Sequence, residues 1–77
     1  MAKFTVRSGR RYRAAIQLGW LEQIADNETI AARLRTAGFA EVVVSGSGAH
    51  RTAEALWPGA DASAPLPPQI TEVVETA

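Results

Sequence analysis

The sequence predicts an α+β fold: a small antiparallel sheet of three to four strands with one main helix packed on one face, in a β-α-β-β core. Three observations predict it. Residues 10–19 alternate between apolar and polar side chains, which is typical of a half-buried antiparallel strand. Residues 27–37 carry apolar side chains at helical spacing. The valines at positions 42–44 then indicate a strand, and a glycine-rich turn leads into the next one.

Length and composition place all 77 residues in one small domain with a modest core. The chain has no cysteine, which excludes a disulfide framework and a thiolate metal site. No apolar run reaches the roughly 20 residues of a membrane helix, and no signal-peptide pattern opens the sequence. We therefore expect a cytoplasmic protein without a membrane span.

The net charge is zero, but the charged residues are unevenly placed. The basic residues that precede the first acidic residue, Glu22, are Lys3, Arg7, Arg10, Arg11 and Arg13. After Arg51 all charged residues are acidic. A basic front can bind a polyanion. Alternatively, the two ends of the chain lie side by side and neutralise each other.

The N-terminal third predicts two strands. Residues 3–7 alternate and form a short strand candidate, and Ser8-Gly9 follows as a turn. In the longer strand one face is apolar, with Tyr12, Ala14, Ile16 and Leu18. The opposite face is polar, with Arg11, Arg13 and Gln17. Residues 20–25 predict either a helical turn, with Trp20 and Ile24 four positions apart, or a packed loop.

The main helix has signals at both ends. Asp26 or Asn27 can cap its first turn, because a short side-chain oxygen accepts a hydrogen bond from an unpaired amide there. Its apolar stripe consists of Ile30, Ala31, Leu34 and Ala37. Gly38 stands where a left-handed residue commonly ends a helix. The three valines that follow predict a strand covered on both faces, and hence a central strand.

Residues 45–48 predict a turn. Residues 49–57 predict the strand that follows, because a tight glycine-containing loop suits a hairpin, although their alanine-rich composition also favours a helix. Residues 60–68 predict a proline-rich strap without a regular element, and residues 69–75 an edge strand or a short terminal helix. The expected core is Trp57, Phe39, Leu34, Ile30, Ile16, Leu18, Val42 and Val44.

Spaced motifs run from Tyr12 to Pro58. They are Gln17-Leu18-Gly19 at a strand end, Trp20-Leu21, Leu34, Gly38, Val42–Val44 and a hairpin strand closing at Pro58. This layout resembles the first half of a SPOR-type domain, a ferredoxin-like module, which implies binding to bacterial cell-wall glycan. The 19 residues after Pro58 leave little room for the second helix and strand of that family. The proline-rich ending is also similar to small uncharacterised bacterial or phage-encoded proteins.

The sequence offers no catalytic constellation. His50 is the only histidine, so no second imidazole or thiolate joins it at a metal site. Ser45 and Ser47 lack an oriented base and an oxyanion hole. A dinucleotide-binding loop starting at Gly46 would need its third glycine at Arg51. We therefore expect no enzyme, no metal and no cofactor.

The candidates for partner binding are Arg7, Arg10, Arg11, Arg13 and Gln17. Guanidinium groups offer a planar fork of donors to carboxylates and phosphates. Alternation places the aromatic Tyr12 on the strand face opposite Arg11 and Arg13, which counts against stacking on bases but not against phosphate contact. The competing structural interpretation is that Glu54 or Glu72 on a neighbouring strand pairs with these arginines.

Two functional hypotheses follow. The first is a non-enzymatic binding or assembly module of bacterial or phage origin, whose partner is a protein or a second copy bound at the sheet face or a free sheet edge. The alternative is a polyanion-binding protein that holds nucleic acid or cell-wall glycan with its N-terminal arginines.

Overall fold

The computed structural model describes residues 3–76 and shows an α+β fold, as predicted. The elements follow in the order β1 (Lys3–Val6), β2 (Arg10–Gln17), a 3₁₀ turn (Glu22–Ile24), α1 (Asn27–Ala37), β3 (Ala40–Ser47), β4 (His50–Trp57), β5 (Ala62–Pro65) and β6 (Ile70–Glu75). The strands predicted over residues 49–57 and at the C-terminal end are both present, which confirms the strand interpretation for the first and selects the strand alternative for the second.

Four strands form the main antiparallel sheet in the order β3-β4-β2-β6, and β1 pairs with β5 in a separate two-stranded sheet. Strands β2 and β4 pair along their whole length, from Arg10 opposite Trp57 to Gln17 opposite His50. The alternation in β2 is therefore that of a central strand with one covered face. The β4–β6 connection, which holds a second helix in a β-α-β-β-α-β ferredoxin-like module, contains β5 here.

The prediction that the valine run is a central strand is wrong. Strand β3 lies at the edge of the sheet, and Val43 is 61% exposed, whereas Val42 and Val44 are half-buried. Three identical β-branched residues favour an extended backbone in any strand. A run of three valines shows no alternation of apolar and polar side chains, so the sequence does not indicate that one face of the strand is uncovered.

The proline-rich strap contains a short strand that its composition did not predict. Strand β5 pairs with β1 from Lys3 opposite Pro65 to Val6 opposite Ala62. Pro65 has no backbone N–H to donate, and at the end of a two-stranded pairing the ladder does not need that donor. The strap thereby ties the C-terminal third of the chain to its first strand.

Helix α1 has the predicted boundaries, and Asp26 rather than Asn27 is its N-cap. The Oδ1 atom of Asp26 accepts hydrogen bonds from the amide of Thr29 at 2.8 Å and from its hydroxyl at 2.7 Å. Gly38 ends the helix with φ +116°, and its amide donates to the carbonyl of Arg35 at 3.0 Å. The prediction of a left-handed glycine at position 38 is confirmed.

The core is made of few and mostly small side chains. Its buried apolar residues are Val6, Tyr12, Ile16, Ala31, Ala53 and Ala55. The other residues expected in the core are half-buried: Leu18, Ile30, Leu34, Phe39, Val42, Val44 and Trp57. Trp57 stacks edge-on against Phe39 with ring centroids 5.0 Å apart, and its indole Nε1 donates to the carbonyl of Ala60 at 2.8 Å. Its polar edge therefore lies at the rim of the core.

Arg51 is buried although it is charged, and only 7% of its surface is exposed. Its Nε donates to the carbonyl of Gly48 at 3.1 Å, its Nη1 to Oδ1 of Asn27 at 2.8 Å and its Nη2 to the carbonyl of Gln23 at 3.3 Å. One guanidinium thus connects the β3–β4 turn, the start of α1 and the 3₁₀ turn.

Candidate functional site

The main sheet is covered on one face only. The side chains of Tyr12, Ala14, Ala53 and Ala55 point to the inner face, where they meet α1 and Phe4 of β1. The side chains that alternate with them lie on the opposite face, which we call the outer face. Its central positions are Val43 on β3, Thr52 and Glu54 on β4, Arg13 and Ala15 on β2, and Glu72 and Val74 on β6. All of them are exposed, so within residues 3–76 nothing covers this face.

Arg11 and Arg13 lie on the outer face, as the alternation predicts, and each has an acidic neighbour. Arg11 Nη2 contacts Oε1 of Glu41, which lies at an irregularity in β3 where the backbone has φ +51°. Arg13 Nη1 lies 4.0 Å from Oε1 of Glu54, directly across the β2–β4 pairing. The prediction that Glu54 lies beside this arginine face is therefore confirmed for Arg13.

The remaining candidate residues are dispersed. Arg7 lies in the turn before β2, with its Nη1 3.9 Å from Oε1 of Glu75. Arg10 begins β2 opposite Trp57. By the alternation of the strand, its position does not belong to the outer face. Gln17 lies at the other end of β2, opposite His50. The five residues therefore do not form one basic patch.

One row of the outer face runs straight across all four strands. Val43 pairs with Glu54, Glu54 with Arg13, and Arg13 with Val74. The row reads apolar, acidic, basic, apolar from one sheet edge to the other. Beside it lies a shallow depression of about 220 Å³ over Ala15, whose small side chain leaves room between its neighbours.

A second surface lies just after the end of β2. Trp20, Leu21 and Ile24 are 79%, 65% and 92% exposed, and we call this group the apolar tip. Their segment contains the 3₁₀ turn Glu22–Ile24, and the Gln23 amide donates to the carbonyl of Gly19, four residues back, at 3.1 Å. The predicted helical turn is present in this tighter form, but its apolar side chains do not pack into the core.

The sequence alone does not assign a role to the apolar tip. The signal that was present is the spacing of three large apolar residues between the end of an alternating strand and the N-cap Asp26. Such residues in a short connection are either packed or exposed for binding. Only the tertiary structure distinguishes these two cases.

The charged groups give little indication of acid–base chemistry. The Asp26 side chain accepts hydrogen bonds from the hydroxyl and amide of Thr29, and these lower the pKa of its carboxyl from the ordinary value of 3.8. Across residues 3–76, no group of three His, Cys, Asp or Glu side chains is placed to hold a metal ion. His50 is exposed at the start of β4, and its lack of a catalytic or metal role stays a prediction that His50→Ala tests.

The inner face contains a small apolar groove of about 50 Å³, lined among others by Phe4, Tyr12, Ala14, Leu34 and Val73. This volume accommodates one or two carbon atoms, so the groove is a packing defect of an alanine-rich core rather than a ligand pocket. In the described part of the chain, no helix is long and apolar enough to cross a bilayer.

No family model, no curated protein and no solved structure matches this chain. The outer face and the apolar tip are therefore the surfaces from which a function can be inferred.

Proposed function

We propose that this chain is a non-enzymatic binding module that docks onto another protein through its apolar tip. The observation that carries the proposal is the exposure of Trp20, Leu21 and Ile24, at 79%, 65% and 92%. A domain whose buried apolar residues are mostly alanine and valine would gain stability by burying these side chains. Large apolar side chains that a small domain keeps in water mark an interaction site.

The backbone of the tip is held in place. Arg51 Nη2 donates to the carbonyl of Gln23, and the Asp26 cap fixes the chain where α1 begins. A tip that is ordered before binding loses less conformational entropy on binding. Full burial of three large apolar side chains contributes roughly 1.5–3 kcal/mol each before the costs of association. Tryptophan is also among the residues most often dominant in protein interfaces.

The charges beside the tip favour a protein partner over a membrane surface. Asp26 and Glu28 follow the tip directly and both are exposed, although the Glu28 carboxylate also contacts Arg35. Cytoplasmic leaflets are anionic and attract basic segments, so acidic residues at this position weaken membrane binding. The partner surface that fits is an apolar groove with a basic rim.

The test uses a displayed random-peptide library as the source of ligands. We expect selection on the wild-type protein to yield amphipathic peptides with basic residues, because they complement the tip and its acidic neighbours. The Kd of a selected peptide should rise at least tenfold for Trp20→Ala and for Ile24→Ala. Val43→Ala on the outer face, a matched truncation of an exposed apolar residue, should leave that Kd unchanged.

Two results would overturn the proposal. One is a set of selected peptides whose affinity is the same for the tip variants and the wild type. The other is binding to phosphatidylcholine–phosphatidylglycerol vesicles that depends on Trp20 and Ile24, because the tip would then be a membrane contact.

The polyanion alternative has weaker support. Arg7, Arg11 and Arg13 each lie beside a glutamate, and the carboxylates oppose a second anion at the same guanidinium groups. Salt-dependent binding of single-stranded DNA or peptidoglycan fragments that is lost in Arg11→Ala plus Arg13→Ala would support it instead. Peptidoglycan is included because the SPOR resemblance implies a cell-wall ligand. Bacterial or phage origin belongs to the proposal of a binding module stated first.

A further inference from the structure

We infer that the outer face binds a second copy of this chain, face to face, about a two-fold axis that runs parallel to the strands between β2 and β4. Closed two-fold dimers are the commonest oligomers, and their interface must be complementary to itself. The inference does not depend on the apolar tip, because it uses different residues on a different surface.

The row across the four strands supplies the self-complementarity. A two-fold axis between β2 and β4 places each β4 over β2 of the second copy and each β3 over its β6. Glu54 then faces Arg13 of the second copy, and Arg13 faces its Glu54. At the two ends of the row, Val43 meets Val74 of the second copy. The order apolar, acidic, basic, apolar is therefore matched at every position.

The neighbouring row fits the same axis. Ser45, Thr52, Ala15 and Glu72 follow one another across the strands. The axis brings the Ser45 hydroxyl over the Glu72 carboxylate of the second copy, where it can donate a hydrogen bond. Thr52 meets Ala15, so two small side chains meet at the centre of the interface. In neither row does a like charge face a like charge.

The size of the face indicates a weak dimer. Four strands about 4.8 Å apart, with about six residues each at 3.3 Å per residue, present roughly 400 Å² in projection. A standard interface buries about 800 Å² per partner, so this face lies at the small end of the range. The exposed valines and the central charge pairs set the register, while the modest area limits affinity. Self-association is therefore expected at micromolar concentrations or above.

The sheet edges are less suitable than the face. Strand β3 has a register irregularity between Ala40 and Val43, where Glu41 has φ +51°. Such a distortion interrupts the row of donors and acceptors that edge pairing needs. Strand β6 begins at Ile70, shortly after Pro67 and Pro68, which limit that edge at its start.

The dimer has a consequence for binding. Rotation about an axis parallel to the strands does not reverse the direction of the strands. Corresponding ends of the two sheets therefore lie side by side, and both apolar tips lie at one end of the dimer. If the tip binds a partner protein, as proposed above, the dimer presents two binding elements in the same direction. Two linked elements raise the apparent affinity for a surface that offers two sites.

Charge exchange tests the inference directly. Sedimentation equilibrium of the wild type between 10 and about 500 µM should show a monomer–dimer equilibrium, in the range expected for a small interface. Arg13→Glu and Glu54→Arg should each lower the association constant of the dimer at least tenfold, because like charges then face each other across the axis. An equimolar mixture of the two variants should recover dimers, since every facing pair in the heterodimer is again opposite in charge.

Two apolar-to-acidic substitutions provide the matched controls. Val43→Asp should abolish self-association, whereas Ile24→Asp in the tip should leave it unchanged, and circular dichroism melting checks that each variant is folded. A wild type that stays monomeric at about 500 µM, a range in which a small interface should form, would overturn the inference. So would failure of the mixed variants to associate, or loss of the dimer in Ile24→Asp. That last result would move self-association to the tip, and the peptide-binding proposal would be judged separately by its own Kd values.

Discussion

The buried guanidinium of Arg51 leads to a specific prediction about stability. It makes three hydrogen bonds, to the carbonyls of Gly48 and Gln23 and to the side chain of Asn27, and no carboxylate is among these partners. Arg51→Met retains a long side chain at this position but removes all three donors. The variant therefore separates the hydrogen bonds from most of the packing that the arginine stem provides.

The expected magnitude follows from opposing contributions. Hydrogen bonds to a charged group contribute about 1.5–3 kcal/mol each. Part of this loss is offset, because the variant no longer has to remove a guanidinium from water, which costs several kcal/mol. A net loss of about 2–3 kcal/mol remains, against a total stability of roughly 4–12 kcal/mol for a domain of this length. The melting temperature should fall by about 10–20 °C.

Urea denaturation followed by circular dichroism measures this difference. The matched control is Arg33→Met, since Arg33 is an exposed arginine on α1, and its stability should stay within about 0.5 kcal/mol of the wild type. A double-mutant cycle with Asn27→Ala should give a coupling of about 1 kcal/mol. An Arg51→Met protein as stable as the Arg33→Met control would refute the reasoning, because Arg51 would then not hold the three segments together.

Three further predictions concern local features. Gly38→Ala should destabilise the protein by at least about 1 kcal/mol in urea melts, because a left-handed alanine is strained and its Cβ would approach the Trp57 ring to 3.0 Å; an unchanged midpoint would contradict this. Ala14→Val should raise stability by about 0.5–1 kcal/mol, because it fills the apolar groove; a lower melting temperature would show that the groove is not free to accept carbon atoms. Asp26→Ala should lower the melting temperature at pH 7. Because the folded-state pKa of Asp26 lies below 3.8, its stabilisation is complete above that pH and is lost as the pH falls through the folded-state value. The difference in melting temperature between Asp26→Ala and the wild type should therefore become smaller in acid. A difference that stays constant until the Asp26 carboxyl is fully protonated would count against the cap.

The amino-acid sequence determined the features that depend on neighbours in the chain. The boundaries of α1 follow from Asp26 and Gly38, whose effects act within one helical turn. The sequence also indicated a glycine turn after the valine run, but the predicted turn over residues 45–48 is wrong in its bounds. Strand β3 runs on to Ser47, and the turn is Gly48-Ala49, with Gly48 at a positive φ. The alternation in β2 correctly placed Arg11 and Arg13 on the face opposite Tyr12, because the period of a strand is a property of its backbone.

Features that depend on distant segments were decided only by the tertiary structure. Whether a strand is central or at an edge depends on which others pair with it, and β2 takes its partners from residues 50–57 and 70–75. The valine run was therefore assigned correctly to a strand and wrongly to the centre of the sheet. Burial likewise depends on what packs nearby: it placed Arg51 inside the protein and left Trp20 in water. Neither outcome follows from hydropathy, because a charged residue is stable inside when carbonyls satisfy it, and an apolar residue stays outside when no surface covers it.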